Sequence, residues 1–301
     1  MSNVTNYIVY LCESFLIIIV NLPLVLTILI REGNRTRREF LIIAGMALGD
    51  MIYSLGFFLS ITRRLESIVS PTTMVTRVEC MALAPTIALF LGATLIGQMN
   101  TVVALDRFLA TVFPIWYFQT TIRYPITVLS VAYGISVMAL ILNWVLVLTN
   151  PVEKHAEINS LCSFVDSTYP GFRDTLTYYR WVCVVIAAIM YIIVAALIRK
   201  RFKITSQSFA PSMSKIQNNK IMRSNVTMGM TTLSAVVFLL VPDVMVNFNF
   251  PNGELGTKLF LYSLILNKTM LNFFIFVLRH RELRGIFIAT GSSLNHPQSI
   301  R

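Results

Sequence analysis

The sequence predicts an all-helical membrane protein whose seven transmembrane helices form one bundle. Of its 301 residues, 55% are hydrophobic and 13% are charged, and its mean hydropathy is +0.70. Soluble domains carry roughly 25% charged residues, so this chain is too apolar to be one. Seven segments approach or exceed the roughly 20 apolar residues that cross a hydrocarbon core of about 30 Å as a helix. These predicted spans one to seven cover about residues 8–30, 40–61, 81–105, 125–148, 179–198, 226–248 and 257–278.

The connecting stretches are too short to form a second domain. The largest are residues 149–178 and 199–225, so we expect a single seven-helix domain over residues 1–301. The first apolar run lacks a basic leading region and is followed by "REGNRTRRE" instead of a cleavage site. We therefore expect it to be a retained helix and not a cleaved signal peptide.

The basic residues predict how the bundle is oriented. Of the 25 Lys and Arg residues, 17 lie in the stretches 31–39, 105–124, 199–225 and 279–301, and seven lie in the alternate stretches. Because short cytoplasmic loops carry the excess of Lys and Arg, we expect the N terminus outside and the C terminus inside. Most of the net charge of +11 then faces anionic lipid and an acidic protein partner, and it requires no nucleic acid.

Signals of enzymatic chemistry are missing from the sequence. It has no Gly-rich phosphate loop, and its three histidines, His155, His280 and His296, lie in separate loops or in the tail. We therefore expect a protein that is not an enzyme and that has neither a metal site nor a cofactor.

Charged residues inside the spans are candidate functional residues, since a charge in mid-bilayer costs at least about 2.5 kcal/mol. At about 1.5 Å per residue, Asp50 and Lys268 lie at the same depth, roughly 15 Å from the inner face. We predict that Lys268 points at Asp50, with Asn21 and Asn272 supplying hydrogen bonds. This polar core either holds the helices in register or rearranges to couple the two faces of the membrane.

Two further charged residues, Glu13 and Asp243, lie near the outer face by the same count. Asp243 follows Pro242, which interrupts the hydrogen bonding of span six and can kink it. Asp243 is a candidate for a ligand pocket: it binds a cationic group of a ligand or reaches interfacial water. Glu13 is a weaker candidate, because it lies on the first span.

The cysteines point to one disulfide. The predicted topology places Cys80 and Cys162 at the outer side, which is oxidising, so a bridge between them can persist there. Such a bridge would hold the second outer loop over the bundle. Cys12 and Cys183 fall within spans and are expected to be apolar filler.

A resemblance emerges at the inner end of span three. The stretch "DRFLATVFPIWY" closes the span with an adjacent acid and base and continues with a proline and aromatic rings. It resembles the Asp-Arg-aromatic motif and the following Pro-x-x-Tyr of rhodopsin-like G-protein-coupled receptors. The matching residues are Asp106, Arg107, Phe108, Pro114 and Tyr117.

The resemblance extends through the other spans. Single positions match the span-one Asn, the span-two acid, the disulfide pair, the inner Tyr of span five and the span-six proline. They are Asn21, Asp50, Cys80, Cys162, Tyr191 and Pro242. In span seven "NFFIF" retains the family's Asn as Asn272 and has Phe276 at the Tyr position. "TRVEC", "LDRFLATVFPIWY" and "NFFIFVLRHRELR" resemble nematode serpentine chemosensory receptors, in particular the Srsx type.

Several positions depart from that pattern. Arg107 follows Cys80 by two residues more than is usual, so the wall of span three is expected to be shifted or bulged. Met222 and Arg223 stand where many relatives have an acid facing the motif arginine, which argues against an ionic lock between spans three and six. "RHRELR" is expected to form a short basic helix along the inner membrane surface.

The resemblance implies a chemosensory receptor in the plasma membrane of a sensory neuron. It would bind an extracellular small molecule or short peptide and activate a heterotrimeric G protein by an outward movement of span six. The polar core and the Asp106–Arg107 motif would then carry activation. Two other classes remain open from the sequence: a seven-helix assembly or trafficking partner that does not signal, and a small secondary transporter.

Overall fold

Seven long helices dominate the computed structural model, which describes residues 2–69, 74–207, 229–248 and 255–279. Six of them are long and apolar enough to cross a membrane, and the seventh contains the shorter apolar stretch Ser263–Leu278. This confirms the predicted all-helical, seven-helix membrane fold. We keep the names span one to span seven for the helices Ser2–Ile30, Arg38–Val69, Ala84–Val112, Arg123–Thr149, Pro170–Gln207, Gly229–Asn247 and Leu255–Arg279.

The helices extend beyond the apolar segments from which they were predicted. The largest difference is in span five, which begins at Pro170 instead of residue 179. Proline fits the first turn of a helix, where its missing N–H has no intrahelical partner. Hydrogen bonding thus continues into polar sequence that a hydropathy window excludes. Met222, Arg223 and the predicted basic helix after span seven lie outside the described residues.

Spans two and three pack against each other almost backbone to backbone. A Cβ atom on Gly92 would overlap the backbone of Tyr53, and one on Gly56 would overlap the backbone of Leu89. Glycine permits this approach because it has no side chain, and small residues have the same role at other membrane helix interfaces. The backbones of the two spans are therefore in close contact.

Two apolar clusters fill the bundle, one toward each end. The first includes Leu24, Ile43 and Phe276, and the second includes Ile17, Phe57 and Leu239. We call the end with the Cys80–Cys162 bridge the disulfide end and the other the Arg107 end. Buried polar residues of spans one, two, three and seven lie between the clusters: Asn21, Asp50, Asn100, Lys268 and Asn272.

Span six contains an irregular turn immediately before its proline. Residues Val236–Leu240 form a π-helical turn, and the N–H of Val241 donates to the carbonyl of Val236. The ring of Pro242 would collide with the carbonyl four residues earlier in a regular helix, so a wider turn relieves the clash. Pro242, which was predicted to interrupt span six, therefore directly follows a π-helical turn.

The disulfide end carries a small covering structure. Strand β1 (Met74–Thr76) pairs antiparallel with strand β2 (Glu157–Asn159). Arg77 forms an ion pair with Glu153, and Thr76 and Glu79 form a capping box at the start of the next helix. Among the described residues, the short helices between the spans are Glu32–Arg35, Arg77–Met81, Pro114–Gln119, Pro151–Lys154 and Phe164–Ser167.

Candidate functional site

The polar centre of the bundle brings spans two and seven together. Lys268 Nζ lies 3.4 Å from Asp50 Oδ1, and Asn272 Nδ2 donates to Asp50 Oδ2 at 3.0 Å. All three side chains are buried, and Lys268 has no exposed surface at all. The contact predicted from equal depth is therefore present. Because both charges are out of water, removing either one would leave the other uncompensated, which typically costs about 3 to 5 kcal/mol.

Asn21 does not contribute to this contact in the way the sequence predicted. Its Nδ2 donates to the carbonyl of Ile17 one turn earlier in its own helix, at 3.0 Å. Asn100 does the same with Ile96 at 2.7 Å. A polar side chain on a helix can satisfy itself with the carbonyl four residues before it, so sharing a level with a charge does not ensure a bond to that charge.

A second buried ion pair joins spans five and six toward the disulfide end. Asp243 Oδ2 accepts from Arg180 Nε at 2.6 Å and from Trp181 Nε1 at 3.2 Å. Asp243 is 5% exposed, and its cation partner in this structure is Arg180, ten residues into span five. The role of Asp243 in a ligand pocket stays a prediction.

Span three leaves room for Arg180. A Cβ on Gly97 would lie 2.9 Å from Arg180 Cγ, so the arginine stem passes directly over this glycine. Next to it, Gln98 donates to the hydroxyl of Tyr179 at 3.2 Å and accepts from Ser136 at 3.0 Å. Polar contacts thus connect spans three, four, five and six within the bundle.

The third buried ion pair lies at the Arg107 end. Arg107 Nη2 lies 3.1 Å from Asp106 Oδ2, and Arg107 Nη1 lies 3.1 Å from Glu39 Oε1 on span two. The Asp106 side chain is 1% exposed and that of Glu39 is 44% exposed. One buried guanidinium is therefore held by an acid of its own helix and by an acid of the neighbouring helix.

The loop after span three closes around this pair. Tyr117 donates its hydroxyl to Asp106 Oδ1 at 3.0 Å, and burial raises the pKa of this hydroxyl, which keeps it a donor. Pro114 begins the short helix that presents Tyr117. Arg38 donates to the Tyr117 carbonyl and to Thr120, and its guanidinium lies 4.5 Å from the centre of the Tyr117 ring.

The remaining predicted site residues occupy separate positions. Phe108 is half-buried on span three beside Arg107. Tyr191 of span five packs its hydroxyl against the backbone of span six at Gly229, where a Cβ would overlap it. Phe276 is 1% exposed and belongs to the apolar cluster at the Arg107 end, so its phenyl ring acts as core there.

The disulfide holds the loop between spans four and five across the bundle. Cys80 and Cys162 are bridged with a Cα–Cα distance of 5.4 Å, as predicted. Below the bridge, the ring of Phe90 on span three packs against Phe164 and Phe172, with centroids 6.0 and 6.5 Å away. Phe164 of the loop and Phe172 of span five therefore cover the disulfide end of span three with aromatic contacts.

Three partners in these ion pairs and contacts were not identified from the sequence: Arg180, Glu39 and Arg38. Arg38 and Glu39 precede the predicted start of span two at residue 40, so they were counted as loop residues. Arg180 lies at the predicted start of span five and was not considered as a partner inside the bundle. Helices often continue past their apolar segments, and allowing for this would have placed these residues within helices. Within the described residues, no group of His, Cys, Asp and Glu could hold a metal ion.

The seven long helices and the bridged loop are those of a multi-pass membrane protein. The family model described as "Serpentine type 7TM GPCR chemoreceptor Srbc" matches residues 1–146. The match covers spans one to three and most of span four, and it supports a serpentine chemosensory receptor, as the sequence predicted. It does not support the Srsx type, because the matching model is that of Srbc. No curated protein matches the chain significantly.

Proposed function

We propose that the chain is a ligand-activated chemosensory receptor that couples to a heterotrimeric G protein at its Arg107 end. The observation that carries the proposal is Arg107 itself, 7% exposed and held between Asp106 and Glu39 at the bundle end opposite the disulfide. A buried, paired guanidinium is a group that one conformation hides and another exposes. Its exposure would create a binding site for a protein partner on one side of the membrane only.

The disulfide end faces outside in this proposal, and the Arg107 end faces the cytoplasm. A disulfide persists on the oxidising side, and the excess of Lys and Arg belongs on the cytoplasmic side, so both features support the same orientation. Epitope tags after Ser2 and after Arg301 test it. In intact cells only the first tag should be reached by antibody, and equal labelling of both tags would contradict the orientation.

The ligand we propose is an uncharged small molecule bound among the outer halves of spans three, five, six and seven. All five charged residues that are buried in the described parts of the chain have an oppositely charged partner: Asp50, Asp106, Arg107, Asp243 and Lys268. A charged ligand that bound to any of these five residues would have to break its ion pair, which is costly. A neutral odorant-like ligand avoids that cost.

Span six is the element proposed to transmit binding. Its π turn and Pro242 give it a point at which to bend, and Asp243 ties its outer half to Arg180 of span five. A ligand that binds better when these spans are rearranged would shift a two-state equilibrium by its differential affinity. The inner half of span six would then swing outward and open the Arg107 end.

A ligand screen in cells that express the chain tests this function. Neutral volatile compounds are applied, and calcium or cyclic nucleotide is recorded. Arg107→Ala at matched surface expression is the control, because it removes the proposed coupling group without touching the outer halves of the spans. We expect responses to some compounds from the wild type and none from Arg107→Ala. Equal responses from both would contradict the role of Arg107, and binding without any response would favour the non-signalling alternative.

A further inference from the structure

One buried hydroxyl near the disulfide end has no hydrogen-bond partner. Thr86 lies in the first turn of span three and is 5% exposed, and its Oγ1 bonds to no other atom of the protein. Among the described residues, no other buried serine or threonine hydroxyl is left in this state. Leaving a buried hydroxyl unpaired costs about 1 to 3 kcal/mol, so a native protein that does so requires an explanation.

The position of Thr86 in its helix explains what the hydroxyl lacks. A threonine inside a helix usually donates to the carbonyl three or four residues earlier, as Thr94 does with Leu91 at 2.9 Å. Three residues before Thr86 stands Leu83, which has an extended backbone and caps the span from outside it. The hydroxyl therefore has no helical carbonyl to bond, and it lacks an acceptor for its proton.

The surroundings of Thr86 are aromatic. Phe90 lies one turn farther into the bundle on the same face of span three, since residues four apart on a helix are neighbours. Its ring contacts Phe164, whose short helix packs on span three, and Phe172 of span five. Phe90 is buried, whereas Phe164 and Phe172 are half-buried. The rings therefore form an apolar lining that begins at the surface of the disulfide end and ends beside the unpaired hydroxyl.

We propose that Thr86 is the polar anchor of a binding site for uncharged carbonyl compounds at the disulfide end. The Thr86 hydroxyl donates to the carbonyl oxygen of the ligand, and the apolar body of the ligand packs against the rings of Phe90, Phe164 and Phe172. This inference rests on the proposed function, to which it adds the chemical class of the ligand and the residue that recognises it.

The same chemistry ranks related compounds. A ketone supplies the acceptor that Thr86 lacks and brings no donor that would need its own partner among the rings. An alcohol brings such a donor, and a hydrocarbon of the same shape leaves the hydroxyl unpaired. Binding should therefore be tightest for the ketone, because it alone satisfies the hydroxyl without adding an unsatisfied group.

Photolabelling of the purified full chain in lipid vesicles tests the inference. The label is tritiated acetophenone, an aryl ketone that cross-links under ultraviolet light. The competitors are unlabelled acetophenone and α-methylstyrene, which has the same shape with a CH₂ group in place of the carbonyl oxygen. We expect the ratio of their potencies, ketone over hydrocarbon, to be about threefold to tenfold higher for the wild type than for Thr86→Val, which removes only the hydroxyl. Comparing this ratio between the two proteins cancels the partitioning of the competitors into lipid.

Thr94→Val is the matched control. Thr94 is on the same span and is also 5% exposed, but its hydroxyl is paired within its own helix, so the ratio should stay at the wild-type value. Thermal unfolding supplies a second control. Thr86→Val should be at least as stable as the wild type, because it removes an unpaired hydroxyl, whereas a hydroxyl with a purely structural role would be missed.

Three results would overturn the inference: a wild-type ratio in Thr86→Val, a loss of stability in Thr86→Val, or labelling of the wild type that does not saturate. The measurement needs no G protein, so it is independent of the coupling at the Arg107 end. If the ketone preference depends on Thr86 but the chain accelerates exchange on no G protein, the binding site stands and the proposed function fails.

Discussion

Lys268 and Asp50 meet at the centre of the bundle, Nζ 3.4 Å from Oδ1, although they lie 218 positions apart in the sequence. Apolar clusters lie on either side of them, toward the disulfide end and toward the Arg107 end. No water-exposed surface remains on Lys268. The pair therefore connects spans two and seven in the polar layer that lies between the two apolar clusters.

Removing one member of this pair should impair the protein more than removing both charges. We expect Lys268→Ala and Asp50→Ala each to lower stability by about 3 to 5 kcal/mol, because each strands its buried partner. Lys268→Ala combined with Asp50→Asn should recover much of that loss, since no net charge then stays buried. Thermal unfolding in detergent measures the stability of the three variants. A double variant no more stable than Lys268→Ala would mean that the two charges do not depend on each other.

The Arg180–Asp243 pair should behave as a buried pair and not as a surface one. Arg180→Ala leaves Asp243 uncompensated and should lower stability by about 3 to 5 kcal/mol. Arg173→Ala is the matched control on the same helix: its partner Asp174 is 51% exposed, so the expected loss is at most about 1 kcal/mol. The same thermal measurement compares them, and similar losses from both variants would contradict the burial of the Arg180 pair.

The bridge between Cys80 and Cys162 should give effects that do not add. We expect Cys80→Ser and Cys162→Ser each to reduce surface expression, and the double variant to be little worse than either, since one bridge is lost in all three. Flow cytometry of tagged receptors reports the amounts at the surface. Losses that add clearly would show that the two cysteines act separately.

Replacing glycine by alanine should lower stability where the glycine contacts a neighbouring helix and should not do so where the added methyl group meets no other atom. Gly92→Ala must push span three away from the Tyr53 backbone, and overpacking of this kind typically costs about 1 to 3 kcal/mol. Gly134 on span four has nothing within 4 Å of a Cβ, so Gly134→Ala should be neutral or slightly stabilising. Thermal unfolding of both variants decides this, and an equal response would contradict the close packing of spans two and three.

The sequence could predict contacts that follow from depth along a regular helix. Asp50 and Lys268 were matched in this way, because a helix rises by a constant 1.5 Å per residue and both positions lie inside unambiguous spans. Asp50 also receives the predicted bond from Asn272. The disulfide was predicted from the topology, which places Cys80 at the outer end of span three and Cys162 in the second outer loop, both on the oxidising side.

The contacts that the sequence could not predict involve residues at helix ends. Span five begins ten residues before Arg180, so the arginine lies inside the bundle although hydropathy places it at the very start of the span. Glu39 was overlooked for the same reason at the start of span two. Hydropathy locates the apolar centre of a helix, whereas hydrogen bonding and packing set its ends. Which face a side chain at such an end presents depends on tertiary contacts.

The most direct test of the receptor account is ligand-stimulated nucleotide exchange in vesicles that contain the purified chain and a heterotrimeric G protein. The ligand is a neutral compound that gives a response in the cell screen. We predict that it accelerates exchange with the wild type and that Arg107→Ala, although it binds the compound with unchanged affinity, does not accelerate exchange. A compound that binds the wild type tightly and accelerates exchange on no G protein tested would contradict the account.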